Sequence, residues 1–254
     1  MVDSILRMRN RNFITSPKSK GVKKDNDTFI SVIILGENHG YRMKSYGPIS
    51  LIKVGSIPLI ERQISSIKAI FKNFEIVLCS GFETSRVFNF IKTRFSDVNI
   101  RIVENQVHYN SNDCESARLC INNIKGDRLF ICGGGSLFTP DSLGAMTFEQ
   151  NEVLLQTEAD GSNFEIGAIE NAGRLENFSV GIKNKFWTEI AYLNGQKVIN
   201  AFYSIVSNPE YKNKFIFEAI NDLSRNHKFS AIMNNYKPII KLNNIKTLKE
   251  ISRG

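Results

Sequence analysis

A polar, glycine-bearing loop follows the first apolar run of the chain, and its residue types suit contact with a phosphate. Residues 31–35 (SVIIL) are apolar enough to form a buried strand, and residues 36–47 carry Gly40 and Arg42. A strand that runs into such a loop brings backbone N–H groups close to an anion, and an arginine can pair with a phosphate oxygen. The loop has neither the Gly-Lys-Ser/Thr ending of a Walker A motif nor the G-x-G-x-x-G spacing of a dinucleotide site. Taken alone, it is a weak indication of a phosphate site.

A second polar stretch, residues 105–116, offers amide and hydroxyl side chains. Asn112 and Ser116 can hydrogen-bond a ligand such as a base, or they can cap the helix that begins there, and both interpretations stay open. His39 and His108 have no paired carboxylate in the sequence, so we predict ordinary loop histidines. Trp187 and most phenylalanines are predicted to belong to the core rather than to a stacking surface.

Alternating strands and helices place these loops at one edge of a sheet. Apolar runs at residues 28–35, 74–79, 98–103 and 128–132 predict strands, and helical spacing of apolar residues from Leu59 and over residues 83–95 and 117–124 predicts helices between them. Such βαβ intervals imply parallel pairing with right-handed crossovers. The loops 36–47, 105–112 and 133–136 then meet beyond the carboxyl ends of the strands, where ligands bind in open α/β sheets. After Pro140, strands near 153–157 and 164–169 indicate an antiparallel part.

The charge of the chain is concentrated at its beginning. The formal net charge is +8, and residues 1–24 hold seven basic side chains against Asp3, which leaves 26 basic and 24 acidic residues in the remainder. We therefore divide the chain into a basic arm, residues 1–27, and one domain, residues 28–254. The arm suits an anionic partner, and a solvated tail without a partner is an equally open interpretation.

Cysteine usage and hydropathy point to the inside of a cell. Cys79, Cys114, Cys120 and Cys132 have no C-x-x-C spacing, so buried free thiols are expected rather than disulfides or a zinc site. No segment has the roughly 18 apolar residues of a membrane span, and the first residues lack the apolar core of a signal peptide. The predicted location is the cytoplasm, or a virus particle assembled there, without contact to a membrane.

Two blocks of the chain resemble nucleotidyltransferases of the sugar-phosphate and phosphocholine type. The family pattern L-A-A-G-x-G-x-R-M, P-K-x-L and V-G-G-x-P-L-I is similar to residues 35–43 (LGENHGYRM), 48–51 (PISL) and 54–60 (VGSIPLI). The cytidylyltransferase pattern N-x-x-Y-x-x-T-N-x-x-x-S is similar to Asn105, His108, Ser111, Asn112 and Ser116, and residues 217–221 resemble the late helix of the family. The resemblance spans roughly residues 29–252.

The resemblance implies a fold and a set of binding residues. The implied fold is α/β, a three-layer α/β/α sandwich with a mostly parallel, Rossmann-like sheet and a small antiparallel extension. The predicted nucleotide-binding residues are Gly40, Arg42, Asn112, Ser116 and Gly134, and no catalytic or metal-binding residue is predicted.

The chemistry of that family needs residues that this chain does not carry at the matching positions. Charge that builds on phosphoryl oxygens must be met by Mg²⁺ and a cation. The family supplies a lysine and two aspartates, whose counterparts here are Ile49, Gly135 and Asn243. An isoleucine has no charge, a glycine has no side-chain oxygen, and an amide is a poor ligand of Mg²⁺. Lys44, Lys53, Asp127 and Asp141 are the candidates that could replace these groups, and each also has an ordinary surface interpretation.

The sequence therefore favours a nucleotidyltransferase-like protein without catalysis, which serves a binding or assembly role through its fold and its basic arm and needs no cofactor. An abundance of Asn, Lys, Ile and Phe, residues with A/T-rich codons, makes a component of a virus particle one concrete form of this role. The alternative is an active Mg²⁺-dependent cytidylyltransferase that makes a CDP-alcohol or NDP-sugar from CTP and a phosphorylated substrate. Nucleic-acid binding rests on the arm alone, where Phe13 is the single aromatic residue, and ranks lower.

Overall fold

A computed structural model describes residues 28–38, 43–157 and 164–252 of the chain. The predicted arm, residues 1–27, lies outside the described residues, and so do His39, Gly40 and Arg42. The division into an arm and one domain therefore stays a prediction.

The first half of the chain forms the predicted parallel sheet. Its strands are β1 (Ile30–Leu35), β4 (Phe74–Ser80), β5 (Ile100–Glu104) and β6 (Arg128–Gly133), in the order β5-β4-β1-β6. The helices between them are α1 (Leu59–Ile70), α2 (Thr84–Arg94) and α3 (Asp113–Ile121). A short hairpin, β2 (Lys53–Val54) with β3 (Ile57–Pro58), precedes α1. Strand β1 is apolar on both faces because helices cover both, as in parallel sheets generally.

The second half of the chain adds antiparallel strands to the same sheet. They are β8 (Glu152–Gln156), β9 (Ile166–Asn171), β10 (Arg174–Val180), β11 (Phe186–Asn194) and β12 (Ser230–Met233). Strand β11 pairs antiparallel with β6, and the order continues β11-β8-β12-β10-β9, so nine strands form one sheet. Strand β9 pairs with β10 and also with β11, which closes the five strands into a small barrel.

The mixed α/β fold is confirmed, and two details of the prediction are corrected. The sheet is parallel only from β5 to β6 and between β8 and β12, so it is mixed rather than mostly parallel. The antiparallel part is larger than the predicted extension. Its size was underestimated because apolar and polar residues do not alternate simply in the sequences of β10, β11 and β12. Strand β11 is interrupted by an irregular register between Trp187 and Ala191, which breaks the two-residue period that identifies a strand.

Helices pack on both faces of the sheet and bury two apolar layers. On one face, α1 and α2 contribute Ile60, Ile64, Ile67, Val87 and Ile91. On the other face, α3 packs beside α4 (Gln196–Val206) and α5 (Ile216–Ser224). A third, smaller cluster lies under α6 (Ile245–Ser252), and the two-strand pair β7 (Ser136–Leu137) with β13 (Ile240–Lys241) runs beside it. No helix among the described residues is long and apolar enough to cross a membrane.

Candidate ligand site at the carboxyl edge of the sheet

The glycine run after β6 is packed directly against the end of β1. The Gly134 amide donates a hydrogen bond of 2.8 Å to the Leu35 carbonyl oxygen. A Cβ at Gly134 would lie 2.5 Å from both the Gly36 Cα and the Leu35 oxygen, which is closer than such atoms approach. On α1, Gln63 fixes the same run, because its Nε2 donates to the carbonyl oxygens of Gly133 at 3.0 Å and Ser136 at 2.8 Å. Gly134 thus has a packing role, and its contact with a nucleotide stays a prediction.

Replacing Gly134 by alanine is expected to lower the free energy of unfolding by about 1–3 kcal/mol, because the added methyl group meets backbone atoms that cannot move aside. Gly144→Ala is the matched control: the Gly144 backbone is helical, with φ −60°, and an added Cβ there lies 3.1 Å from its nearest neighbour. Urea unfolding followed by circular dichroism measures both variants. Equal stability of Gly134→Ala and the wild type would contradict the packing role.

The second predicted block forms a hydrogen-bonded loop around Asn105. This side chain is fully buried, and its Nδ2 donates to the hydroxyls of Ser111 and Ser116, each at 3.0 Å. The Nδ1 of His108 lies 3.1 Å from the Asn105 carbonyl oxygen. Four members of the block are therefore brought together at the start of α3.

Asn112 and Ser116 do not cap α3 with their side chains. Asn112 occupies the N-cap position, but its Nδ2 donates to the Asn213 carbonyl oxygen at 2.6 Å instead of its oxygen accepting from the helix. Ser116 lies inside the helix, is fully buried and accepts from Asn105. The capping interpretation is therefore wrong for both side chains, and their contact with a base stays a prediction.

The three positions that lack the expected chemistry lie together. The main chains of residues 135 and 242 are hydrogen-bonded, with the Leu242 amide donating to the Gly135 carbonyl oxygen at 2.8 Å. A Cβ at Gly135 would lie 3.1 Å from the Ile49 Cδ1 and 2.8 Å from the Leu242 oxygen. Asn243 follows directly, and its Oδ1 accepts from the side chain of Asn244 at 2.7 Å. The sequence comparison thus matched positions that meet in space, and an apolar isoleucine occupies the place of the expected cation.

The four candidate replacements do not converge on this point. Lys53, Asp127 and Asp141 are exposed, and Asp127 lies at the amino end of β6, which is the opposite edge of the sheet. Lys44 is exposed beside the carboxyl edge, with its Nζ 5.7 Å from the centre of the Phe82 ring.

Four charged residues that the sequence analysis did not select lie at the carboxyl edge. They are Glu37 after β1, Asp113 at the start of α3, Glu189 on β11 and Lys241 on β13. Glu37 and Asp113 both follow predicted strands or loops of this edge, so their positions were accessible to sequence reasoning. Glu189 and Lys241 were not, because β11 was not predicted and a lysine near a late strand is usually exposed.

Glu37 and Asp113 form a carboxyl pair. The two carboxyl groups lie close enough for each to affect the pKa of the other. Burial raises the pKa of the Glu37 carboxyl, which is 2% exposed. Burial also raises the pKa of Asp113 well above its ordinary value, and repulsion by Glu37 and Glu189 raises it further. The pKa of Asp113 is therefore raised further than that of Glu37, as happens when one of two adjacent carboxyl groups resists ionisation beside the other.

Lys241 forms an ion pair with a neighbour at the same edge. Its Nζ lies 2.5 Å from the Oε1 of Glu189, and each side chain is 24% exposed. Burial alone lowers the pKa of Lys241, but the attraction of Glu189 outweighs it, so the pKa is raised and the ammonium stays charged. Glu189 has a φ of +62°, a strained value for a residue with a side chain, at the irregular part of β11. This backbone places its carboxylate against Gly133, where an added Cβ would lie 2.4 Å from Oε2.

The described residues do not fit the Mg²⁺ ion that the family resemblance implies. Within residues 28–38, 43–157 and 164–252, no group of three or more His, Cys, Asp or Glu side chains is arranged to hold a metal ion. The raised pKa of Asp113 disfavours the charged carboxylate that a metal ion needs, and Glu189 is paired with Lys241.

The chain has the fold of the nucleotidyltransferases. It superposes on the inositol-1-phosphate CTP transferase from T. maritima with a TM-score of 0.71 and 17% identity, over 88% of this chain and 95% of that one. The CTP:phosphocholine cytidylyltransferase from Streptococcus pneumoniae gives 0.72 and 15%, over 88% and 98%. A putative glucose-1-phosphate thymidylyltransferase from Bacillus anthracis gives 0.72 and 17%, over 88% and 94%. Neither a protein-family model nor a curated protein matches the sequence.

Proposed function

We propose that this chain is a nucleotidyltransferase-fold protein that does not transfer nucleotides and that acts by binding a partner or by taking part in an assembly. The basic arm, residues 1–27, supplies a contact to an anionic surface in this proposal. A component of a virus particle is one such assembly. The location is then the cytoplasm or the particle.

One observation carries the proposal: Gly135, Ile49 and the Leu242–Asn243 segment meet at a single point. An aspartate at position 135 has no room, because its Cβ would lie 2.8 Å from a backbone oxygen. The neighbouring isoleucine is 6% exposed and belongs to an apolar cluster with Met43 and Leu59. The transferred phosphoryl group carries negative charge on its oxygens in the transition state, and this charge needs a cation. An apolar cluster gives no such stabilisation.

The charged groups nearby support the proposal as well. The Lys241 ammonium is paired with Glu189, so it is not free to meet a phosphate. Glu37 and Asp113 are carboxyl groups, so they offer no positive charge to a polyphosphate in either protonation state. The described site thus suits a neutral or cationic group better than a nucleoside triphosphate.

The second candidate function is an active cytidylyltransferase with displaced catalytic groups. The observation in its favour is that carboxyl groups and a lysine do lie at the carboxyl edge, although at positions other than the expected ones. In this candidate, CTP and Mg²⁺ bind, and a phosphorylated alcohol or sugar attacks the α-phosphate. Gly40, Arg42, Asn112, Ser116 and Gly134 are the nucleotide contacts that this candidate requires.

Calorimetric titration with CTP, ATP, GTP and UTP separates the two candidates. We expect any nucleotide that binds to have the same affinity in Mg²⁺ and in EDTA, because the described residues hold no cluster of metal ligands. Binding of CTP that becomes at least tenfold tighter in Mg²⁺ would favour the active enzyme.

A further inference from the structure

An exposed group of aromatic and cationic side chains lies on the flank of the carboxyl edge formed by β4 and β5. We name this group the aromatic–cationic patch and define it by Lys44, Tyr46, Phe82, Arg86, His108 and Tyr109. Three loops meet there: the one before β2, the one after β4 and the one after β5.

The contacts within the patch hold its rings and cations together. The Lys44 Nζ lies 5.7 Å from the centre of the Phe82 ring and 5.6 Å from that of Tyr109. The His108 and Tyr109 rings lie 4.0 Å apart at 40°. The His108 ring packs directly on the Gly81 backbone, since a Cβ at Gly81 would lie 2.6 Å from the His108 Cγ. Phe82, His108 and Tyr109 are thus held together beside Lys44.

The rings are accessible to a partner. Tyr109 is 60% exposed and Tyr46 is 46% exposed. No ion pair among the described residues includes Lys44, whereas Arg86 is paired with Glu83. An exposed tyrosine next to an available cation suits a ligand that has both a flat ring and a negative charge.

We propose that the aromatic–cationic patch binds single-stranded nucleic acid, with bases stacked on Tyr109 and Tyr46 and a phosphate held by Lys44. Proteins that bind single strands combine such stacking rings with basic contacts to the backbone. The formal net charge of +8 and the basic arm give the electrostatic attraction that a polyanion needs, and the arm itself has little aromatic character. The patch supplies the aromatic half of that combination.

The inference is independent of catalysis, because the patch contains none of the residues at which the nucleotidyl-transfer chemistry is missing. It also predicts a preference for single-stranded over duplex nucleic acid. A duplex hides its base faces in the stack, so rings on a protein surface favour single strands over duplex DNA.

Fluorescence anisotropy of a labelled twelve-nucleotide single strand tests the proposal on the full-length chain, with the matching duplex measured in parallel. We expect tighter binding of the single strand. The double variant Tyr46→Ala/Tyr109→Ala is expected to weaken it by about tenfold or more. Lys44→Ala is expected to lower the salt dependence of binding by about one ion in the slope of log K against log salt.

Tyr236→Ala is the matched control, because Tyr236 is 54% exposed but lies on the loop between β12 and β13. It is expected to bind as the wild type does. Circular dichroism checks that each variant is folded. The proposal is overturned if no single strand binds, if the duplex binds equally well, or if the patch variant binds like Tyr236→Ala, which would assign the affinity to the arm. A patch that instead captures a protein, without binding nucleic acid, overturns it too.

Discussion

Replacing Asp113 by asparagine is expected to flatten the pH dependence of the folding stability. Burial and the nearby Glu37 and Glu189 raise the pKa of the Asp113 carboxyl in the folded chain well above its ordinary value of 3.8, so the folded chain binds a proton there more tightly than the unfolded chain does. An acid with a raised pKa destabilises the fold as the pH rises from its ordinary value toward its folded value. For one proton the free energy of unfolding falls by about 1.4 kcal/mol per pH unit in that window.

Asparagine has the shape of a protonated aspartic acid and does not titrate. Urea unfolding between pH 5 and pH 8 is therefore expected to show a smaller slope for Asp113→Asn than for the wild type, with the variant more stable at the alkaline end. Asp127→Asn, a change at an exposed aspartate, is the control and keeps the slope of the wild type. The same slope in Asp113→Asn and the wild type would contradict the raised pKa of Asp113.

Replacing Lys241 by methionine is expected to lower the free energy of unfolding by about 3 kcal/mol at neutral pH, because it leaves Glu189 without its counter-charge beside the carboxyl pair. Methionine keeps most of the volume of the lysine stem, so the lost packing is small. Urea unfolding at pH 7 measures the loss.

A double-mutant cycle isolates the ion pair from the effects of each single change. Glu189→Gln removes the unpaired charge, so the double variant Lys241→Met/Glu189→Gln is expected to be more stable than Lys241→Met alone. Lys246→Met is the control, because Lys246 is exposed and its contact with Glu250 is 4.0 Å long. Additive losses in the cycle would show that the pair between β11 and β13 contributes nothing of its own.

The sequence was sufficient for the parallel half of the fold and for the edge of the sheet at which its loops meet. Strands β1, β4, β5 and β6 are apolar runs followed by loops with glycine or polar residues, and the helices between them have a clear apolar stripe, so local pattern and tertiary structure agree. The barrel was missed because its strands depend on partners far along the chain. In β11, the irregular register at Glu189 removes the alternation that reveals a strand.

The chemistry of the site could be predicted only in part. Ile49, Gly135 and Asn243 were recognised as places where charge is missing, and Ile49 and Gly135 meet beside the Leu242–Asn243 segment. The sequence alone could not show that the charged residues of the site lie close together. Glu37, Asp113, Glu189 and Lys241 belong to four separate elements, and whether a carboxyl group is protonated or paired depends on burial and on neighbours distant in the sequence.

Release of pyrophosphate is the most direct measurement of the central claim. The full-length chain is incubated with CTP or another nucleoside triphosphate, Mg²⁺ and a phosphorylated acceptor, namely phosphocholine, inositol 1-phosphate or glucose 1-phosphate. The cytidylyltransferase from Streptococcus pneumoniae, run in the same assay, serves as the positive control. We predict no pyrophosphate above the enzyme-free background with any pair of nucleotide and acceptor. Two of the three positions where charge is required are occupied by Ile49 and by Gly135, which has no room for a side chain. Turnover with any pair, abolished by EDTA, would contradict the account.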